Sequence, residues 1–210
     1  MHMMDQIDEV LKKHLGLTYN QEDNRLSGKL FLSDGDSYEV LIKLEKFPKF
    51  FPEVFETDGR IPVKMDCHMY PNNGSCCFAT RAKSQVLLKT KVHTLLIFVD
   101  EILVKYLENN SFYELNNHYY GEEYAHGTLG VIQGYIDILE VDSIELVVKA
   151  IYKASISNTV KIHQDCYCGS NRRLRKCNHR KHLKNLRLLY LVDKSILKSD
   201  LQSIIEVMSK

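Results

Sequence analysis

The four prolines of this chain all fall within residues 47–78, and they constrain its fold more than any other feature. They are Pro48, Pro52, Pro62 and Pro71, in the segment FPKFFPEVFETDGRIPVKMDCHMYPNNGSCCF. Each proline fixes φ and removes a backbone donor, so it interrupts a strand or stiffens a turn. We therefore predict a stiff, extended connection over a core, which ends in a Gly-x-Cys-Cys-Phe turn that could present a thiol.

Size and composition indicate a folded protein without a membrane segment. The chain has 210 residues, of which 44% are hydrophobic, so it is predicted to form one domain or one domain with a small appendix. A net charge of +1 gives no bulk electrostatic reason to expect a nucleic-acid or membrane partner. The start MHMMDQIDEV lacks the features of a secretory signal, and no apolar run approaches the roughly 18 residues of a span. A soluble, cytoplasmic protein is expected.

Six cysteines form two groups along the chain. In a reducing compartment they are more consistent with metal ligands or reactive thiols than with disulfides. The first group is Cys67, Cys76 and Cys77, and the second is Cys166, Cys168 and Cys177.

The hydrophobic pattern predicts an α+β fold in which one helix comes first, antiparallel strands follow, and helices occupy the rest. The first helix is expected over Asp5–Leu15. Strands over Leu26–Leu32 and Tyr38–Leu44 flank the turn signal SDGD, which predicts a hairpin. FPKFFPEVFET is expected to form a bent strand at a sheet edge. Further helices are expected over Thr94–Leu107, over Thr128–Leu139, from a capping box at Asp142 through Tyr152, and after a similar signature at Ser199.

This order of elements, together with FPKFFPEVFE and HMYPNNGSCCF, resembles the ubiquitin-conjugating enzyme (UBC-like) fold over roughly residues 4–110. In that family a His and an Asn precede a Gly-x-(apolar)-Cys-(apolar) run. On this pattern Gly74 is the glycine, Cys76 takes the apolar position and Cys77 is the nucleophile. The contiguous His-Pro-Asn of many members is absent, and the chain has no tryptophan. Divergent bacterial members are more similar to this sequence.

The resemblance implies that Cys77 accepts an acyl group as a thioester and passes it to an amine. Such a thiol needs exposure and a nearby oxyanion donor more than a low pKa. Asn72 and Asn73 are the candidate oxyanion donors, and His68 is expected to brace the loop rather than to act as a base. Cys67 and Cys76 are expected to be small buried hydrophobes. Adjacent cysteines cannot easily both bind one tetrahedral ion, so a zinc site in this group is not expected.

The second group, CYCGSNRRLRKCNH, resembles the SEC-C type zinc motif, a Cys-x-Cys-Gly-Ser turn followed by a further Cys and then His or Cys. Its spacing predicts a closed, structural Zn²⁺ site with Cys166, Cys168 and Cys177 as ligands. His179 is the predicted fourth ligand, with His182 and His163 as alternatives. Such a site can supply on the order of 10 kcal/mol to local folding.

Basic residues surround this motif. Residues 166–192 contain no Asp or Glu, yet they contain eight Arg and Lys. A solvated face is the ordinary interpretation, and an acidic protein surface or a nucleic-acid backbone are the alternatives. Only Tyr167 and Tyr190 could stack on bases, so single-strand recognition is not expected and protein contact is favoured.

Together the two resemblances imply a bacterial conjugating-type enzyme with a zinc module. Residues 1–115 would form the conjugating-like domain, 116–160 a helical extension, and 161–210 the zinc module. The expected partners are an adenylating activating enzyme, a ubiquitin-like protein or another activated protein C-terminus, and a target protein. The resemblance also implies a role in a bacterial antiviral defence system, since such enzymes are typical of antiviral operons. A catalytically inactive zinc adaptor is the rival, and a cysteine hydrolase that uses His118 or His126 is a weaker third interpretation.

Overall fold

The computed structural model describes residues 2–121 and 125–209, apart from the side chain of His179. Within these residues the chain forms two compact units. The first takes in residues 2–78 and 87–121, and the second takes in residues 79–86 and 125–209. The whole is α+β, with an antiparallel sheet confined to the first unit. None of the described helices has both the length and the apolar character that crossing a bilayer requires.

The first unit contains a four-stranded antiparallel sheet in the order β1-β2-β3-β4. Its strands are β1 (Leu17–Asn20), β2 (Arg25–Phe31), β3 (Ser37–Lys43) and β4 (Glu53–Glu56). The predicted hairpin is confirmed: Leu30 pairs with Tyr38 across the β2–β3 turn, where Gly35 has a φ of +88°. The aromatic-proline segment contributes only β4, an edge strand as expected, because its prolines cannot donate to a ladder.

Helices cover one face of this sheet. They are α1 (Met3–Lys13), α2 (Arg81–Thr90, of which residues 87–90 belong here), α3 (Leu95–Phe98) and α4 (Lys105–Asn116), with a π-helical turn at Val99–Val104 joining the last two. Leu95, Phe98, Val99, Leu103 and Leu107 are fully buried. Their stripe packs with Leu26, Leu30, Val40 and Ile42 of the strands in one core. The side chain of Gln6 fixes α1 to the start of α3 by accepting from the Leu95 N–H at 2.9 Å.

An ion-pair network ties the β2–β3 turn to α4. The Arg60 guanidinium donates to both carboxylate oxygens of Asp36, at 2.8 and 2.6 Å, and to the carboxylate of Glu114 at 2.7 Å. It also lies 4.1 Å from the centre of the Tyr38 ring. Ser111 on α4 donates to Asp36 at 2.9 Å. Mainly because Arg60 bonds to its charged form, the pKa of Asp36 is well below its ordinary value.

The second unit is helical. Its helices are the first part of α2, α5 (Gly127–Leu139), α6 (Ile144–Ile156), α7 (Lys181–Leu189) and α8 (Lys194–Met208), with a 3-10 helix at Leu174–Arg180. The carboxylate of Asp200 is buried within it and accepts from the Tyr135 hydroxyl at 2.8 Å and from Arg81 at 3.1 Å. A buried charge needs such partners because burial without them is costly.

Two of the predicted helix starts are wrong. Ser143, not Asp142, caps α6, since its side chain accepts from the Leu146 N–H. The last helix begins at Lys194 after Asp193, so Ser199 lies in its interior and does not cap it. In both cases a polar residue three positions before a Glu or Gln matched the capping pattern, but the helix begins after a different residue.

Candidate functional site

Cys77 lies at the end of the proline-rich segment, after a tight loop over residues 68–76. Gly74 adopts a φ of +73° in this loop, and its N–H donates to the Tyr70 carbonyl at 2.8 Å. The Tyr70 N–H in turn donates to the Ser75 carbonyl at 2.8 Å, and Met69 pairs with Cys76 as an isolated antiparallel bridge. The loop is thus a short closed hairpin, which fixes the position of the residue that follows it.

The two residues that end the loop are anchored by backbone bonds. Cys76 donates its N–H to the carbonyl of Val54 on β4 at 2.8 Å, and Cys77 donates to the carbonyl of His68 at 2.7 Å. The Cys77 N–H is therefore committed and cannot stabilise the oxyanion of an acyl group bonded to the Cys77 sulfur. An oxyanion donor would have to come from another group.

Tyr106 of α4 contacts the backbone of this loop. Its hydroxyl lies 3.0 Å from the carbonyl of His68 and 3.3 Å from that of Cys67. Its ring packs edge-on against Phe78 at 5.1 Å, and Phe78 also contacts the buried Phe98 at 5.5 Å. Phe78, the residue after Cys77, is thus partly buried and packs against the core of the first unit.

The adjacent thiols have different environments. Cys76 is buried, and burial raises the pKa of its thiol to about 12. Cys77 is only half-buried; burial raises the pKa of its thiol, and a hydrogen bond from the Tyr70 side chain acts in the opposite direction. Cys67 is buried as well. As a whole residue Cys77 is therefore the most exposed cysteine of the first group, and Tyr70 is the side chain that favours its thiolate.

The predicted supporting residues lie in the same loop. Asn72 and Asn73 are exposed, and the Asn73 side-chain oxygen accepts from both the N–H and the hydroxyl of Ser75, at 3.1 and 2.9 Å. These bonds orient the Asn73 amide and leave its nitrogen as the group able to donate. His68 adopts a left-handed conformation with a φ of +51°, and its ring packs edge-on against Tyr119 at 5.0 Å. The bracing role expected for His68 stays a prediction.

In the second unit, the side chains of Cys166, Cys168, Cys177 and His182 converge. Their ligand atoms all lie within 4.8 Å of one another. The shortest separations are 3.3 Å from His182 Nδ1 to the sulfurs of Cys166 and Cys177, and 3.5 Å between the sulfurs of Cys168 and Cys177. Tetrahedral zinc with Zn–S bonds of about 2.3 Å requires sulfurs about 3.8 Å apart, so small shifts would complete a site.

Local backbone structure explains this convergence. Gly169 has a φ of +74° and turns the chain back, so that the Cys166 N–H donates to the carbonyl of Arg172 at 2.8 Å. Fully buried Leu174 starts the 3-10 helix that carries Cys177. His182 follows in the first turn of α7. The side chain of Tyr167 ties the turn to the end of α5 by donating to the Leu139 carbonyl at 2.7 Å.

The chemistry of these four groups suits zinc. All six cysteines are free thiols, and burial raises the pKa of Cys166 to about 12. Burial also opposes ionisation of Cys168, but hydrogen bonds from Ser170 outweigh it and lower the pKa of that thiol. Three thiolates in so small a space would repel each other unless a cation neutralised them. Soft sulfur with one imidazole is a typical ligand set for Zn²⁺.

A second contact would orient the imidazole. With Nδ1 on a metal, Nε2 carries the proton and needs an acceptor. The Asn178 amide lies 3.4 Å from Nε2 and supplies that acceptor when its oxygen faces the ring. The ring of Tyr167 packs against the imidazole at 5.2 Å.

Sequence reasoning identified the three cysteines, but it placed a different histidine first. The side chain of His179 lies outside the described part of the structure, so His179 stays a prediction, whereas His182, one of its alternatives, lies in the cluster. His163 is exposed. A helix start at Lys181 would have favoured His182, because it puts that residue on the inward side of the first turn.

Tyr70 and Tyr106 were missed altogether. Tyr70 is a 40% exposed loop residue, and Tyr106 resembled any core position of a helix. Their roles depend on contacts between segments far apart in sequence. His118, one of the two histidines named for the hydrolase interpretation, bonds to the Asn116 carbonyl and packs on Phe112. Comparisons with protein-family models, curated proteins and solved structures give no match to this chain.

Proposed function

We propose that this chain is a conjugating-type acyl carrier whose nucleophile is Cys77 and whose second unit is stabilised by zinc. The observation that carries the proposal is the placement of Cys77: backbone bonds fix it, Tyr70 donates to it, and it is more exposed than either Cys67 or Cys76. A helix, a four-stranded antiparallel meander, this loop and further helices follow one another in the order that the resemblance to the UBC-like fold implies.

The reaction has two exchanges. In the first, the Cys77 thiolate attacks the thioester carbonyl that joins a ubiquitin-like protein to its activating enzyme, and the enzyme's thiolate leaves. In the second, an amine of the target attacks the new thioester, the Cys77 thiolate leaves, and the amine's proton passes to solvent. The amide nitrogen of Asn73 is the proposed donor to the oxyanion of each step; removing such a donor typically costs about 100- to 1000-fold in rate.

The raised pKa of Cys77 is compatible with this chemistry. A thiol that carries an acyl group must be nucleophilic when it attacks and stable as a thioester afterwards, and partial burial protects the thioester from water. Because its pKa is above the ordinary value, only a small fraction is thiolate at neutral pH. We therefore expect the first exchange to accelerate as the pH rises towards that pKa.

A direct test is thioester formation. The protein is incubated with an activating enzyme encoded beside it, ATP and a candidate ubiquitin-like protein, and adducts are compared with and without reductant. A reductant-labile adduct lost in Cys77→Ala and retained in Cys76→Ala supports the proposal. Loss of the adduct in Cys76→Ala with its retention in Cys77→Ala would show that Cys76, and not Cys77, is the nucleophile. No adduct, although the activating enzyme itself becomes charged, would contradict the acyl-carrier proposal.

The second candidate is a zinc adaptor that binds a partner without forming a thioester. The partial burial of Cys77 and the commitment of its N–H to His68 favour this candidate, because both reduce its competence as a nucleophile. Partner capture unchanged in Cys77→Ala, but lost after substitution of Cys177, would support it.

A further inference from the structure

The second unit has a basic groove next to the cysteine cluster. The groove has a volume of about 760 Å³. Its cationic lining consists of Arg175, Lys176, Arg180, Lys181, Lys184 and Arg187. All six are exposed, and in the part of the chain that the structure describes only Lys181 among them forms an ion pair, with Glu140. The other five have no carboxylate partner among the described residues, and this concentration of positive charge in one concavity favours an anionic ligand.

We infer that this groove binds the sugar–phosphate backbone of a nucleic acid without sequence preference. Lys and Arg side chains donate hydrogen bonds and accept none. Among the described residues no carboxylate lines the groove, and Glu140 at its edge is already paired with Lys181, so the groove offers few acceptors to the amines and amides that a protein surface intersperses among its acids. A phosphodiester backbone presents only acceptors and negative charge at every repeat, and arginine binds phosphate in a bidentate manner.

The spacing on α7 fits such a ligand. Lys181, Lys184 and Arg187 are exposed at intervals of three residues, and the positions between them are buried. With a rise of 1.5 Å per residue, they form a stripe about 9 Å long. One strand of a duplex places a phosphate about every 3.4 Å along its axis, so the stripe spans about three phosphates.

Among the residues whose side chains the structure describes, none in the lining is aromatic. Ile162 and Leu183 complete the groove, and neither can stack on a base. The inference therefore rests on contacts to the backbone and not on base stacking. The inference is also independent of the chemistry at Cys77, because every lining residue belongs to the second unit.

The test is fluorescence anisotropy with a labelled 20-base-pair DNA duplex and a matched RNA duplex, in KCl from 25 to 200 mM. We expect binding whose log K falls linearly with log[KCl], with a slope of about −0.9 for each phosphate contacted. If all six cations contact phosphates, the slope should be about −5. Scrambling the sequence should leave the affinity unchanged. The two duplexes distinguish DNA from RNA as the source of the backbone.

Matched variants locate the site. Lys184→Gln with Arg187→Gln should weaken binding at least tenfold and make the salt slope less negative by about 2. Lys184→Arg with Arg187→Lys should retain binding. Lys12→Gln with Lys29→Gln changes the net charge equally but alters exposed lysines of the first unit, and should have no effect. Circular dichroism confirms that each variant folds.

Three results would overturn the inference. The first is no binding of either duplex at 50 mM KCl. The second is an equal loss of binding in the Lys12 and Lys29 control. The third is preferential binding of poly-glutamate over both duplexes at 100 mM KCl, which would indicate an acidic protein partner instead.

Discussion

At the level of single residues, burial raises the pKa of Cys77 and Tyr70 partly opposes it. The Tyr70 side chain donates to the Cys77 sulfur and so lowers the pKa that burial raises. We predict that Tyr70→Phe raises this pKa and slows alkylation of Cys77 by iodoacetamide at pH 8. A hydrogen bond worth about 1 kcal/mol corresponds to a roughly fivefold slower rate. Peptide-resolved mass spectrometry of the alkylated protein measures it.

The same experiment contains its own reference. Cys76, whose pKa is about 12, should react far more slowly than Cys77 in both proteins. Tyr120→Phe, at a residue that is 81% exposed, is a matched control and should not change the rate. Faster alkylation of Cys77 in Tyr70→Phe would show that Tyr70 shields the thiol rather than stabilising the thiolate.

How far single residues could be predicted depended on whether their role was local. The spacing of Cys166, Cys168 and Cys177 with the intervening glycine identified three members of the cysteine–histidine cluster, because a turn and a short helix determine their approach. The fourth member depends on where α7 begins, and a shift of a few residues moves the histidine. Tyr106 supports the loop through a contact some forty residues away, which no local pattern reveals.

At the level of elements, the start of the sheet depends on two glycines. Gly28 of β2 has a φ of +128°, and a Cβ there would lie 2.3 Å from the carbonyl oxygen of Gly16. A Cβ on Gly16 would lie equally close to the carbonyl oxygen of Lys29, whose N–H donates to the Gly16 carbonyl at 3.0 Å. The link between α1 and β1 thus approaches β2 more closely than any side chain permits.

We therefore predict that Gly28→Ala destabilises the protein by more than about 2 kcal/mol, since backbone strain and overlap add. Gly35→Ala is the matched comparison: its φ is +88°, but a Cβ there meets nothing within 4 Å. It should cost only the strain, about 1 kcal/mol. Urea unfolding followed by circular dichroism measures both. Equal losses for the two variants would contradict the close approach.

The network that joins the β2–β3 turn to α4 should make stability depend on acid. Because the pKa of Asp36 is lowered in the folded protein, its contribution is complete above the unfolded value of about 3.9 and is lost as the pH falls towards the folded pKa. Asp36→Asn should therefore lower Tm by a constant amount between pH 5 and 8. The difference from the unchanged protein should shrink below pH 4.

A thermal-melting series from pH 2.5 to 8 tests this expectation. Asp34→Asn is the control, since Asp34 lies in the same turn but does not bond to Arg60. Should the difference between Asp36→Asn and the unchanged protein grow as the pH falls, the carboxylate would be destabilising and the assigned direction of its pKa would be wrong.

Elements were predictable where one physical signal dominated. The hairpin followed from SDGD between alternating strands, and α5 followed from an apolar period of 3.6. No element was predicted for Phe78–Lys91, where α2 lies, because the segment mixes basic and apolar residues without a stripe. The helix predicted over Thr94–Leu107 was correct in its buried side, but its π-helical turn was not foreseen, because widening by one residue leaves no mark in the sequence.

At the level of the whole molecule, the two units are stabilised differently. The first has a continuous apolar core between its sheet and helices. The segment over residues 157–180 in the second unit has little regular structure and few fully buried apolar residues, Leu174 being one of them. Cross-linking by a metal is therefore expected to contribute most of the order in this segment.

Metal removal should consequently affect the two units unequally. We predict one equivalent of zinc per chain, and loss of hydrogen-exchange protection over residues 160–190 after treatment with a strong chelator. Protection of β2 and β3 should be retained, because their bonds depend on the core of the first unit. Elemental analysis and exchange mass spectrometry measure the two quantities, and Cys166→Ser should reproduce the effect of chelation. Cys67→Ser, a substitution of a buried cysteine outside the cluster, should retain the metal.

Two outcomes would contradict this prediction. Unchanged protection around His182 after the metal is removed would show that packing alone orders the cluster. Equal loss of protection in both units would show that the metal stabilises more than its own surroundings.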